Sequence, residues 1–318
     1  MTSTTHSRAI CIALCGALAF APAFPSRVRA QKAPDAPPQV QPAQPAAQAA
    51  PPAAAKPAVA RPAAVPSIEE AQALVKNSPK DPAAYLALGG AYRRAGRYQE
   101  ALDAFKKMSA LSPTSATAYV SMGAAYMDLK RMDDAERAFQ KALKLNPNDA
   151  AAHYNMGNYH LTKGRRDDAT GEFRKATQLK PPVPDAWVNL GLIQAELGRT
   201  DEAVLSYKKA LEVDSTNVRA LTNLANAQYS LGKIPEATGL YRRALRYDSR
   251  NQEANYNLGV AFADAQIYKE ALRYWRKVVE IDSTTSVAEG AKSSIQILED
   301  FLKSQAKSPP AGGPPQKP

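Results

Sequence analysis

The sequence predicts an all-α fold, built as a linear array of paired helices. The stretch "AAHYNMGN" at Ala151 recurs as "DAWVNLGL" at Asp185, "RALTNLAN" at Arg219 and "EANYNLGV" at Glu253, each 34 residues after the last. A fixed period of roughly 20–50 residues marks a repeat architecture. Within each period, apolar residues follow two successive stripes with helical spacing. Each period therefore holds two helices.

Six copies of the pattern divide the folded part of the chain into units of equal length. We place the repeats at 82–115, 116–149, 150–183, 184–217, 218–251 and 252–285. The eighth residue is glycine or alanine, the twentieth is always alanine, and the twenty-fourth is aromatic (Phe105, Phe139, Phe173, Tyr207, Tyr241 and Trp275). A residue with little or no side chain lets two helices approach closely. We expect the aromatic ring to fill the remaining space between the helices.

Helix ends are marked within most repeats. Gly96, Gly164, Gly198 and Gly232 follow the first helix, where a residue without Cβ can adopt positive φ. Proline at position 32 of the first three repeats stops the second helix and begins the connection to the next repeat.

This pattern closely resembles the tetratricopeptide repeat across residues 82–285. The departures are serine for proline at position 32 in the last three repeats, Gln194 and Gln228 for the usual aromatic at position 11, and Gln266 for the turn glycine. The resemblance implies a right-handed α-solenoid of antiparallel helix pairs. It also implies a concave groove, lined by the first helices, that binds protein partners.

Flanking segments complete the predicted stack. Residues 67–79 resemble a lone second helix, and residues 286–303 form a capping helix with apolar residues on one face and charges on the other. The last repeat of an array needs such a half-polar cap for solubility. The predicted solenoid therefore spans residues 67–303.

The N-terminal residues 1–30 are predicted to form a signal peptide. The apolar run at residues 9–24 suits a signal sequence and is short for a membrane span. Cleavage is expected before Gln31, with a rival site before Phe24. An uncleaved membrane anchor remains the alternative, because Arg27, Arg29 and Lys32 resist translocation. The expected location is periplasmic or secreted, or membrane-anchored if the segment is kept.

Two further segments are predicted to be disordered. Residues 31–66 are mostly Ala, Pro, Gln and Val, and residues 304–318 form a Pro/Gly tail. The two cysteines, Cys11 and Cys15, lie in the apolar run, so a cleaved chain contains no thiol.

The charge distribution and the composition argue against nucleic-acid binding, and they argue against a metal site or a catalytic site. The net charge is +11, but lysine and arginine alternate with aspartate and glutamate along the repeats, without the basic stripe of a nucleic-acid binder. His153 and His160 occupy inward positions and are expected to be satisfied core residues. No Ser/His/Asp set, phosphate loop or HExxH motif occurs. We therefore predict a non-enzymatic protein without a cofactor or a metal.

The candidate binding residues form columns at the repeat period. An asparagine amide offers both donors and an acceptor, and a row of them can bond an extended peptide backbone with little regard to its sequence. The resemblance places these side chains in the concave groove, as in the peptide-binding superhelix of the O-linked N-acetylglucosamine transferases, here without a catalytic domain. The predicted peptide-binding residues are Asn155, Asn189, Asn223 and Asn257 at position 6, Asn158 and Asn226 at position 9, and Tyr154, Tyr256 and Tyr229 nearby.

The predicted function is an exported scaffold that binds an extended peptide or protein segment in this groove. The alternatives are a component of polysaccharide or peptidoglycan assembly or export in the cell envelope, and a targeting subunit of a separate enzyme. A further alternative is that the asparagines only reflect the repeat consensus and serve as framework residues.

Overall fold

A computed structural model describes residues 66–307, and the predicted signal segment, most of the Pro/Ala linker and the end of the tail lie outside this range. Every regular element in the described range is an α-helix. The helices are α1 (Ile68–Asn77), α2 (Pro82–Arg94), α3 (Tyr98–Leu111), α4 (Ala116–Asp128), α5 (Met132–Leu145), α6 (Ala150–Thr162), α7 (Arg166–Gln178), α8 (Pro184–Glu196), α9 (Thr200–Val213), α10 (Val218–Ser230), α11 (Ile234–Tyr247), α12 (Gln252–Asp264), α13 (Tyr268–Ile281) and α14 (Ser286–Lys307).

The helices pack as consecutive antiparallel pairs, which confirms the predicted α-solenoid. Within each repeat the two helices pack on each other, and the second helix packs on the first helix of the next repeat. First helices of most successive repeats also contact one another, whereas second helices have no comparable contact in the described range. We call the side formed by the first helices (α2, α4, α6, α8, α10 and α12) the inner surface, and its crowding makes it the concave side.

The close approach of the two helices depends on the glycine at position 8 and the aromatic at position 24. A Cβ added at Gly157 would lie 2.5 Å from the Phe173 ring, and one at Gly259 would lie 2.5 Å from the Trp275 indole nitrogen. Real Cβ atoms do not approach so closely, so a side chain there must push the helices apart. Phe173 and Trp275 are fully buried. The predicted small-to-aromatic contact is confirmed.

The turn between the helices of each repeat requires one left-handed residue. The four predicted glycines have φ of 74–75°. The same position holds Lys130 in repeat 2 and Gln266 in repeat 6, with φ of 61° and 60°. A non-glycine side chain is strained in this region, by roughly 1–3 kcal/mol.

The flanking helices cover the two ends of the array. Helix α1 begins with a capping box, in which Ser67 bonds the backbone of Glu70 and the Glu70 carboxylate bonds the backbone of Ser67. Helix α14 buries Ala288, Ala291 and Leu298 against the last repeat. Within residues 66–307, no helix has the length and hydropathy that a membrane span requires.

Candidate binding surface

Asparagines at position 6 alternate between two environments along the inner surface. Asn189 in repeat 4 and Asn257 in repeat 6 bond a side chain of the preceding repeat, whereas Asn155 in repeat 3 and Asn223 in repeat 5 bond only the backbone of their own helix. The residue at position 9 of the preceding repeat decides between the two arrangements.

Asn189 joins repeats 3, 4 and 5. Its Nδ2 donates to Oδ1 of Asn158 at 2.8 Å, and its own Oδ1 accepts from Arg219 at 3.0 Å. The same guanidinium bonds Asp185 at 3.0 Å. Asn189 is 6% exposed, so its amide is largely shielded from water. Both polar atoms of this amide are therefore bonded to other residues of the solenoid.

Asn226 forms a similar junction between repeats 5 and 6. Its Oδ1 accepts from Asn257 at 2.8 Å and from the Tyr241 hydroxyl at 2.6 Å, and its Nδ2 donates to Glu253 at 2.9 Å. Tyr241 is 1% exposed, and burial raises the pKa of its hydroxyl far above its usual range. That hydroxyl therefore remains a proton donor, and Asn226 is its acceptor.

Asn155 and Asn223 lack such a neighbour. The preceding repeats place Ala124 and Leu192 at position 9, and neither side chain can accept a hydrogen bond. Asn155 Nδ2 instead bonds the Ala151 carbonyl at 2.8 Å, and Asn223 Nδ2 bonds the Arg219 carbonyl at 2.9 Å. Among the described residues, no side chain bonds the Oδ1 of either amide, and both residues are half-buried. One N–H and the carbonyl oxygen of each amide remain available to a ligand.

The three candidate tyrosines lie in different places. Tyr154 is half-buried, with its ring centroid 6.0 Å from that of Phe173. Tyr229 is half-buried and donates its hydroxyl to Asp264. Tyr256 is only 3% exposed and lies between Trp275 and helix α14, with its hydroxyl 3.3 Å from that of Ser294. Tyr256 is therefore part of the core and does not belong to the binding surface.

His153 is a satisfied buried side chain, as its sequence position predicts. Its ring nitrogens bond the Glu172 carboxylate at 2.6 Å and the Pro147 carbonyl at 2.9 Å. The bond to Glu172 raises the pKa of His153. Burial alone would raise the pKa of Glu172, but bonds from His153 and Lys175 outweigh it and hold that pKa at about 2.

His160 differs from its expected role. Its Nδ1 is buried without a hydrogen bond and lies 3.9 Å from Asp168. The described residues contain no group of side chains arranged to ligate a metal ion.

A cavity of about 480 Å³ opens on the inner surface of repeats 1 and 2. Its apolar lining includes Leu86, Gly90 and Phe105. Arg93 at its edge pairs with Asp128, and Arg94 donates to the Pro66 carbonyl at 2.9 Å. The cavity was not predicted, because its lining residues come from three helices and, apart from Arg94 and Asp128 at position 13, share no repeat position.

Family models match most of the repeat region. Models described as "Tetratricopeptide repeat" match residues 92–159 and residues 61–116 and 222–284, and one described as "TPR repeat" matches residues 195–232. No curated protein matches the sequence.

Solved structures with the same architecture are similar at low sequence identity. A chain of the APC/C hetero-tetramer Cut9-Hcn1 has a TM-score of 0.61 and 17% identity over 71% of this chain, which spans 45% of that chain. The structure of Pseudomonas aeruginosa pilF has a TM-score of 0.57 and 18% sequence identity, and the match covers 67% of this chain and 96% of that chain. The structure of yeast Tom70 has a TM-score of 0.57 and 15% sequence identity, and the match covers 75% of this chain and 60% of that chain. At these identities the likeness concerns the fold alone.

Proposed function

Because the chain belongs to the tetratricopeptide repeat family, we propose that it is a non-enzymatic scaffold that binds an extended polypeptide segment along its inner surface. Tetratricopeptide folds generally serve protein–protein interaction, and an array of repeats presents a long concave face to a partner.

The observation that carries this proposal is the pair of open amides. Asn155 and Asn223 each keep an acceptor oxygen and a donor hydrogen that the described residues leave unused. They lie two repeats apart at the same register, so they can bond the backbone of one extended segment at two points. A hydrogen bond to a peptide backbone needs no particular side chain on the partner.

Other inner-surface residues have supporting roles in this proposal. Tyr154 and Tyr229 are half-buried aromatic residues on the first helices of repeats 3 and 5, the same helices that carry the open amides, and such side chains suit a peptide partner. Asn158, Asn189, Asn226 and Asn257 fix the spacing of the first helices through their bonds across repeats. We propose that they shape the surface, while the open pair makes the contact.

A peptide selection tests the proposal without a known partner. A random dodecapeptide phage library is panned against the full-length protein, and the affinity of an enriched peptide is measured by calorimetry. Replacing both open amides, Asn155→Ala with Asn223→Ala, should weaken the peptide roughly 5- to 100-fold, because each bond contributes about 0.5–1.5 kcal/mol. The matched control is Asn148→Ala, at an exposed turn residue whose side chain makes no hydrogen bond across repeats among the described residues, and it should leave affinity unchanged. Failure to enrich any peptide, or equal affinity for all variants, would contradict the proposal.

We also propose that residues 1–30 direct export of the chain and are then removed. The support is the apolar run at residues 9–24 alone. N-terminal sequencing of the protein from its native cells should give Gln31 as the first residue. Recovery of intact Met1 from a cytosolic fraction would contradict this.

A further inference from the structure

We propose that the chain's own Pro/Ala arm, residues 31–65, lies along the inner surface from the cavity of repeats 1 and 2 onward, and competes there with other polypeptides. The proposal concerns the same surface as the proposed function, but it needs no outside partner to be tested.

The described chain begins at the edge of this cavity. The guanidinium of Arg94 lines the cavity and also donates to the Pro66 carbonyl at 2.9 Å. The polypeptide that precedes Pro66 therefore starts beside the cavity, on the side of the solenoid that carries the open amides. Because the arm is tethered at this point, its effective concentration at the surface is high.

The lining of the cavity suits a segment rich in proline, alanine and valine. Leu86, Gly90 and Phe105 form an apolar floor, and Tyr98 at the edge is 37% exposed. A Cβ at Gly90 would meet only the Arg94 guanidinium, at 3.4 Å, which is an ordinary van der Waals contact, so the cavity has room above Gly90. Proline-rich segments dock into grooves lined by aromatic side chains, because their extended conformation loses little entropy on binding.

The charges of the arm match those of the inner surface. Between residues 31 and 65 the arm carries Lys32, Lys56 and Arg61 and a single acid, Asp35. At about 3.1 Å per residue, an extended arm places Arg61 about 16 Å and Lys56 about 31 Å from Pro66, away from Arg94. Beyond repeat 1, positions 2 and 13 of the first helices hold five carboxylates (Asp128, Asp185, Glu196, Glu253 and Asp264) and one guanidinium group, Arg219. Asp128, Asp185 and Glu196 pair with Arg93, Arg219 and Arg166, whereas Glu253 and Asp264 bond the neutral side chains of Asn226 and Tyr229 and keep their negative charge uncompensated by these partners.

Paramagnetic broadening in the full-length chain tests the placement. With Cys11 and Cys15 changed to serine, a nitroxide is attached at Ala58→Cys, and backbone amide intensities are recorded by NMR. We expect Gly90, Ser121 and Asn155 on the inner surface to lose at least half of their intensity. Gly171 and Gly239, exposed on second helices, should keep theirs.

Two variants serve as controls. Charge reversal by Lys56→Glu with Arg61→Glu should restore the lost intensity, and a nitroxide at Ala311→Cys in the tail should leave Gly90 unaffected. Equal broadening of inner and outer residues, or none, would overturn the proposal.

The outcomes separate this inference from the proposed function. If a library-selected peptide binds but the arm causes no broadening, the arm proposal alone fails. If the arm broadens inner residues, the panning is repeated on the Lys56→Glu with Arg61→Glu variant, whose inner surface the arm no longer covers. If no peptide can be selected on that variant either, the placement of the arm is supported and the proposed function is contradicted. If the peptide does bind, charge reversal in the arm should raise its affinity several-fold, and an unchanged affinity would overturn the competition.

Discussion

Repeats 3 and 5 carry the same inner-surface asparagine as repeats 4 and 6, but the side chains form different hydrogen bonds in the two pairs of repeats. Asn189 and Asn257 bond an asparagine of the preceding repeat, whereas Asn155 and Asn223 follow an alanine and a leucine and bond only their own helix. The difference shows that the role of a repeated residue is set by its neighbour in the adjacent repeat. A column of identical residues is therefore not a column of identical sites.

The largest effect is expected where the framework bonds converge. Asn226→Ala removes the acceptor of both the Asn257 amide and the buried Tyr241 hydroxyl, and it also removes the donor to Glu253. A buried polar group left without a partner costs about 1–3 kcal/mol. We expect the free energy of unfolding in urea to fall by about 2–3 kcal/mol. A loss close to that of the exposed control Asn148→Ala would show that the junction is not structural.

The fold could be predicted from the sequence because the determinants of a repeat are local and recur. Glycine at position 8 and the aromatic at position 24 stand 16 residues apart in every complete pair, as Gly157 and Phe173 do. The six copies reinforce each other, so the substitution of Gln266 for the turn glycine did not obscure the turn.

The candidate site could be predicted only in its residue types. The bonds that divide the asparagines join residues 31 apart, from position 9 of one repeat to position 6 of the next. Reading each column alone cannot reveal them. The sequence does hold a signal for this division. Position 9 of the preceding repeat is asparagine before Asn189 and Asn257, whereas it is Ala124 before Asn155 and Leu192 before Asn223. Its residue type alone predicts Tyr256 to lie on the surface with the other tyrosines, but position 5 is buried in repeats 2, 4, 5 and 6.

A pH profile separates the two repeats that carry open amides. Repeat 3 has His153 at position 4, bonded to Glu172, and repeat 5 has Leu221 there. Because the pKa of His153 is raised in the folded protein, its contribution to stability is complete below its ordinary pKa of 6.5 and is lost as pH rises through the folded-state pKa. The pKa of Glu172, lowered from 4.5 to about 2, gives a contribution present above about pH 4.5 and lost as pH falls toward 2.

The variant His153→Leu tests this window by giving repeat 3 the residue of repeat 5. Because a hydrogen bond between charged groups is worth about 1 kcal/mol more than a neutral one, the variant should lose about 1 kcal/mol more stability at pH 5.5 than at pH 8.5. The measurement is urea unfolding at both values. Asn223→Ala in repeat 5 should show no such dependence. Equal losses of the His153 variant at both pH values would contradict the charged pair.

A smaller effect is expected from converting an open repeat into a bridged one. Leu192→Asn places an amide at position 9 before Asn223, as Asn158 stands before Asn189. The new bond should stabilise by about 0.5–1 kcal/mol, offset by the lost packing of Leu192, so the net change in stability is small. The informative quantity is the coupling between Leu192→Asn and Asn223→Ala in a double-mutant cycle. We expect about 0.5–1 kcal/mol of favourable coupling, and a value of zero would show that position 9 does not decide the arrangement.

The division of the asparagines is tested most directly by two double variants measured side by side in urea. Asn189→Ala with Asn257→Ala breaks the bonds across repeats and leaves their partners unsatisfied, so the free energy of unfolding should fall by about 2–3 kcal/mol. Asn155→Ala with Asn223→Ala removes only bonds within one helix and introduces a better helix former, so stability should stay the same or rise by up to about 1 kcal/mol. Similar losses in the two double variants would contradict the account.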